Sequence, residues 1–215
     1  MRSLLLMIII LVSTPVLVLA QEYDFGAFAG VGGNTYIGDL NRDRNMGQFN
    51  AQVGLHRYVD ERTFFKFSIN VGGIQGEYSP GDDLDLSVNP DANTFFRADV
   101  LSVDFSFNWE IIKWSFVHVY TGTGLGYLDF SIQDRDGRNL VDRPDTRLEE
   151  EDYTTRIAYF PINLGFTLFP SRQFNLIWEY SWNLTNTDYL DNIGYSGNTS
   201  SDWIFRRMIV ARYKF

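Results

Sequence analysis

Cysteine is absent from this 215-residue chain, histidine occurs only twice, and basic residues are outnumbered, 18 against 27 acidic. Each shortage excludes something. Without cysteine there is no disulfide framework and no thiol chemistry. With two histidines, His56 and His118, imidazole-based catalysis and multi-histidine metal centres have little to draw on. With a net charge of −9, a polyanion such as nucleic acid is not a partner the chain attracts. Beyond residue 20 no apolar run approaches the roughly twenty residues of a spanning helix. If the chain enters a membrane, it does so as strands.

Residues 1–20 read as a secretory signal peptide. Arg2 supplies the positive start, Leu4 to Val12 the apolar run, and Val18-Leu19-Ala20 a small-residue cleavage site before Gln21. No cysteine follows that site, so the lipoprotein route is not indicated. Without Arg2 the mature chain, residues 21–215, carries 17 basic residues against the same 27 acidic ones. It is expected to form one domain.

What the mature chain has in abundance is alternation and aromatics, 16% of all residues. The last thirteen residues show the alternation well. Ile209, Ala211, Tyr213 and Phe215 lie on one face, and Val210, Arg212 and Lys214 on the other. Period two marks a strand between two different surroundings. Seven earlier segments repeat the pattern: Tyr23–Val31, Phe49–Tyr58, Thr63–Tyr78, Phe95–Glu110, Phe116–Phe130, Tyr153–Phe169 and Phe174–Asn186. The connections alternate long and short. That is the arrangement of an eight-stranded antiparallel transmembrane β-barrel with short periplasmic turns and long outer loops, in the bacterial outer membrane. A soluble lipocalin-like barrel would alternate equally but reverse the polarity of its faces. Long uninterrupted apolar faces, the charges on the opposite faces and the aromatic closing strand favour the membrane form.

In that form Lys66, Asp104, Glu110, Glu179, Arg206 and Arg212 point into the lumen. Eight strands leave an interior that side chains just fill, so these charges are expected to pair in a network that holds the barrel rigid. His56 and His118 fall on inward faces near the periplasmic ends of their strands. Neither sits at the outer rim, so the chain is expected not to be an enzyme. Asp134, Asp136 and Asn139 flank Gly137 as oxygen donors do in a calcium loop. The EF-hand glutamate is missing at its spacing, and four arginines share the loop. A solvated hairpin tip competes with calcium binding there, and no cofactor or metal is expected elsewhere.

Two further segments should meet at the outer rim, because closure sets the last strand beside the first. Tyr36-Ile37-Gly38-Asp39-Leu40 follows the first strand, and Thr187-Asp188-Tyr189-Leu190-Asp191-Asn192 follows the seventh. The pair resembles the N-Y-x-G-D-L and T-D-Y-L-D-D motifs of the PorG-type small outer-membrane barrels of the type IX secretion system. The resemblance continues through L-S-V-D-F-S-F-N-W-E at 101–110 and F-P-I-N-L-G-F at 160–166, and covers most of the mature chain. Asn192 stands where that family more often has a second aspartate. The resemblance implies a non-enzymatic barrel that anchors the periplasmic ring of the secretion machine to the outer membrane. The short turns at Asp60-Glu61-Arg62, Lys113-Trp114 and Ser171-Arg172 would be its contact surface. The alternative is a small barrel of general structural, ligand-binding or narrow-pore role with acidic outer loops.

Overall fold

The computed structural model describes residues 25–40, 47–80, 82, 84, 86–87, 93–142, 154–170, 173–193 and 201–215. The signal peptide, Tyr23 and Asp24, and Ser171-Arg172 lie outside the described residues. Eight antiparallel strands close into a barrel in sequence order. They are β1 (Phe25–Ile37), β2 (Gln48–Tyr58), β3 (Thr63–Glu77), β4 (Phe95–Lys113), β5 (Val117–Gln133), β6 (Arg156–Leu168), β7 (Phe174–Thr185) and β8 (Trp203–Lys214). A short 3-10 turn, Leu140–Asp142, follows β5. Strand β8 pairs with both β7 and β1, which leaves no free edge.

Several boundaries differ from those expected of the sequence. Strand β1 runs six residues past Val31, through Gly32 to Ile37, and pairs with β8 throughout. Gly32-Gly33-Asn34 looks like loop chemistry, but Asn34 faces inward and donates to Asn50 Oδ1 (3.3 Å) and to the Gly73 carbonyl (3.2 Å). Strand β4 continues to Lys113 through a bulge at Glu110/Ile112, which lets Ile112 and Lys113, expected in the turn, pair with β5. Strand β5 extends to Gln133 and β6 starts at Arg156, so both ends of the following connection lie three residues later than expected.

The polarity is that of a membrane barrel. Val53, Phe67, Ile69, Val103, Phe105, Ile162, Trp178 and Ile209 are exposed on the outer wall. Asn50, Gln52, Ser68, Asn70, Asn108, Asn163 and Asn183 are buried inside it. Only a hydrocarbon surround makes this inside-out distribution stable. Aromatics girdle both ends. Phe25 stacks on Phe215 at 5.7 Å, and Trp114 on Phe116 at 6.3 Å, at the lower end. Tyr180, Trp182 and Phe205 pack together on the wall of β7 and β8, nearer the upper end.

The inner face is not polar throughout. Above Leu101 the sense of the alternation reverses. Phe96, Ala98 and Val100 turn inward while Arg97 and Asp99 turn outward. On β5, Leu128, Phe130 and Ile132 do the same against Asp129 and Ser131. With Tyr36, Leu40, Ile74, Leu190, Ile193 and Ile204 they form a continuous apolar core across the outer mouth. The reversal marks where the strands leave the bilayer: outside faces become wet, and the inside becomes an ordinary hydrophobic core.

Candidate functional site

At the outer mouth the two rim segments interlock. Tyr36, fully buried at the end of β1, places its hydroxyl 2.7 Å from Asp191 Oδ2 and 2.7 Å from Asp202 Oδ1. The Asp39 amide donates to the same phenolic oxygen at 3.0 Å. Gly38 is needed for this approach, since a Cβ there would lie 1.9 Å from the Tyr36 hydroxyl oxygen and 2.0 Å from Asp202 Oδ1. Asp202 Oδ2 accepts the Leu190 amide (2.9 Å), and Asp191 Oδ1 accepts the Ile193 amide (2.8 Å). Thr187 acts locally, its hydroxyl accepting the Tyr189 amide at 3.2 Å. Asn192 adopts φ 64°, a left-handed conformation that asparagine tolerates better than most residues.

Proton counting decides the charge of this cluster. A phenol carries one proton, yet two carboxyl oxygens lie at hydrogen-bonding distance from it. If both contacts are hydrogen bonds, one carboxyl must supply the second proton. Burial raises the Asp191 carboxyl above the usual carboxylate range, and the Asp39 charge adds to the effect. Burial also raises Asp202, followed by the repulsion of Asp191. Asp188 contributes to both. Asp202 carried no sequence signal. It precedes β8 outside both motifs, and only closure of the barrel reveals it as the third partner.

Below the apolar core, all six lumen charges are buried. Arg206 lies 3.8 Å from Asp104, which also accepts from Asn70 and Tyr159, both at 3.0 Å. One level lower, Lys66 Nζ meets Glu179 Oε2 at 2.5 Å, and the Tyr120 hydroxyl donates to the same oxygen. Gly165 makes room for that tyrosine, because a Cβ there would stand 2.1 Å from the ring. At the periplasmic end the Tyr58 hydroxyl donates to Glu110 Oε1 at 2.5 Å, and Arg212 bonds Asn175 Oδ1 at 3.0 Å and Tyr58 at 3.4 Å.

The two histidines take different positions in this packing. His118 Nδ1 lies 3.0 Å from Glu110 Oε2. His56 packs edge-on against Tyr58 and Phe64, and among the described residues neither of its nitrogens has a hydrogen-bond partner. Beside it, a cavity bordered by Gln52, Lys66, Glu179 and Arg212 measures about 10 Å³. That is the size of one water molecule and far too narrow for a path. Reconstituted in planar bilayers, the protein should carry no steady ion current. Stepwise conductance would show that the apolar core at the mouth opens.

Asp134 acts as a turn cap. Its Oδ1 accepts the amides of Asp136 (2.9 Å) and Arg138 (2.8 Å), and Gly137 takes φ 78°. Asn139 Oδ1 accepts the Val141 amide at 3.0 Å, and Asp136 lies 3.8 Å from Arg138. These groups serve the hairpin's own backbone and ion pairs. Among the described residues no group of three or more His, Asp or Glu gathers as metal ligands would.

On the periplasmic side the turns are tied to one another. Asp60 Oδ1 accepts the amides of Arg62 and Thr63, both at 2.7 Å. These bonds, the Arg62 one first, lower its carboxyl below the usual range. Lys113 Nζ crosses to the Glu61 carbonyl at 2.5 Å.

No family model matches the chain, and no curated protein sequence does. Solved structures do resemble it. Neisserial surface protein A superposes with a TM-score of 0.55 at 12% identity, covering 89% of this chain and 97% of its own. Ail, the attachment invasion locus protein of Yersinia pestis, solved with the heparin analogue sucrose octasulfate, gives 0.52 at 12% identity, covering 91% and 100%. The fold is that of a small outer-membrane β-barrel. At this identity the likeness is one of fold; the outward apolar wall and its girdles independently place the barrel in the outer membrane.

Proposed function

We infer that this barrel is a non-enzymatic structural component of the outer membrane, which anchors the periplasmic ring of a type IX secretion machine. The observation that carries the reading is the closed lumen. Ion pairs fill it from Glu110 to Arg206, and an apolar core covers the mouth. Such an interior is suited to rigidity rather than transport. The type IX assignment rests on the motif resemblance. In its support, Tyr36, Gly38 and Asp39 from one motif and Asp191 from the other form one buried unit.

The surface for a periplasmic partner is the pair of cross-tied turns, where Asp60, Glu61, Trp114 and Phe116 are exposed beside Lys113. Tagged barrel purified from its native membranes should bring down periplasmic ring proteins. Substituting Glu61, Lys113 and Trp114 together should abolish that recovery while the barrel stays folded. Unchanged recovery would remove the turns as the docking surface. Absence of ring proteins from the wild-type sample would remove the anchoring role.

A further inference from the structure

The seam between β1 and β8 carries a cation on its lipid-facing side. The outward residues pair there as Ala29 with Ala211, Val31 with Ile209, Gly33 with Arg207, Thr35 with Phe205 and Ile37 with Trp203. Val31, Ile209, Ile37 and Trp203 are exposed. Arg207 therefore has apolar residues on the wall both above and below it. Among the described outward residues of β1 and β8 it alone is charged.

The register sets its height. The row of paired residues through Arg207 runs down through Tyr180, Leu164, Thr121 and Trp109 to Thr63, at the periplasmic end of β3. In the other direction it passes Gly33 and Phe49 and falls in line with Gly73, the partner of Asp99. Strand tilt makes such a row climb around a barrel. Arg207 thus stands below the level at which β4 leaves the bilayer, on wall that meets hydrocarbon.

Its side chain turns upward. Nη2 donates to Thr35 Oγ1 in the next row at 3.1 Å, and the guanidinium carbon lies 5.8 Å from the centre of the Phe205 ring. Phe205 is held by Tyr180 at 6.0 Å and Trp182 at 5.2 Å, which makes it a fixed platform. Gly33 leaves the wall beside the arginine stem without a side chain. At the head, Nη2 comes within 3.6 Å of the place a Cβ on Gly47 would take, just before β2. A cation on the lipid face is least costly near the interface, and the upward turn carries this one towards the headgroups of the outer leaflet.

We propose that Arg207 is the phosphate-binding residue of a site for one lipid A molecule in the outer leaflet. The acyl chains lie down the wall along Val31, Ile209, Ala29 and Ala211, within the bilayer, and the phosphate meets the guanidinium above them. A guanidinium has five N–H donors in a planar fork, so it can take a phosphate through two parallel bonds alongside the Thr35 hydroxyl. Apolar below and cationic above, the site has the order of its ligand. At the edge of a low-dielectric medium the two charges attract more strongly than they would in water.

The test uses the whole protein extracted from its outer membrane, washed free of lipid in detergent, and offered lipid A or the same lipid A stripped of phosphate. Bound lipid is counted by native mass spectrometry. Wild type should hold one lipid A, and excess inorganic phosphate should leave it bound. The dephosphorylated form should be held about tenfold less. Arg207→Gln removes a charge from the lipid face, so it should fold as well as wild type. It should lower lipid A retention about tenfold and erase the difference between the two lipids. Thr35→Val keeps the charge but releases the guanidinium, and should lower retention about threefold. The heat-sensitive gel mobility of folded barrels checks that each variant is folded. The proposal falls if wild type holds no lipid A, if the dephosphorylated form is held as well, if inorganic phosphate strips the lipid, or if folded Arg207→Gln retains as much as wild type.

Discussion

Replacing Lys66 with methionine should lower the unfolding free energy by about 3–5 kcal/mol, the loss seen when one partner of a buried ion pair is removed. Lys66 and Glu179 have side chains 6% and 4% exposed, so water does not replace the lost partner. The variant would leave a carboxylate in the lumen with the Tyr120 hydroxyl as its remaining close donor. The single-site effect overstates what the pair contributes. Removing both charges, as in Lys66→Met with Glu179→Leu, takes away the desolvation cost along with the attraction. The double variant should recover most of the stability. Denaturant titration of the barrel in lipid vesicles, followed by tryptophan fluorescence, gives all three values. A loss below about 1 kcal/mol for Lys66→Met would mean that Glu179 reaches water, and that the lumen is less tightly filled than its packing indicates.

The same layer shows what could be read from the residues alone. Alternation along β3, β4, β7 and β8 identifies the inward charges, because a strand leaves each side chain only two directions. Pairing among them was beyond the sequence. Lys66 on β3 meets Glu179 on β7 across the lumen, and the shear of the closed barrel sets which levels coincide. The apolar core at the mouth was hidden for a related reason. From Phe95 to Val100 the alternation continues without a break while its meaning inverts, and a periodic pattern carries no label for inside and outside. Strand β1 runs on past Gly32, where glycines and an asparagine signal a turn locally. The ladder to β8, a tertiary feature, overrides that signal. The rim motifs stood out as two segments. Their third member, Asp202, became visible only when closure brought β8 beside β1.

That third member gives the second large effect. Tyr36→Phe should destabilise the barrel by about 3 kcal/mol, since it strips a shared hydroxyl from two buried carboxyls and one amide. Asp202→Asn should act in the opposite direction. An asparagine can accept the Leu190 amide through its oxygen and donate its NH2 to the Tyr36 oxygen, which frees the phenolic proton for Asp191. The sign of the pH dependence follows from the raised carboxyls. In the unfolded chain an aspartate loses its proton near its ordinary value, about 3.9. In the folded barrel, burial and the Asp39 and Asp188 charges hold a proton on the Asp191–Asp202 pair to higher pH. Between those limits the native state binds more protons than the unfolded state, so the cluster's contribution to stability is full in acid and falls as pH rises. Denaturant midpoints measured from pH 5 to pH 9 should therefore decline more steeply for wild type than for Asp202→Asn. At neutral pH the variant should be about 1 kcal/mol the more stable of the two. Parallel midpoint profiles would mean that both carboxyls are ionised at the rim, and that a cation balances them there.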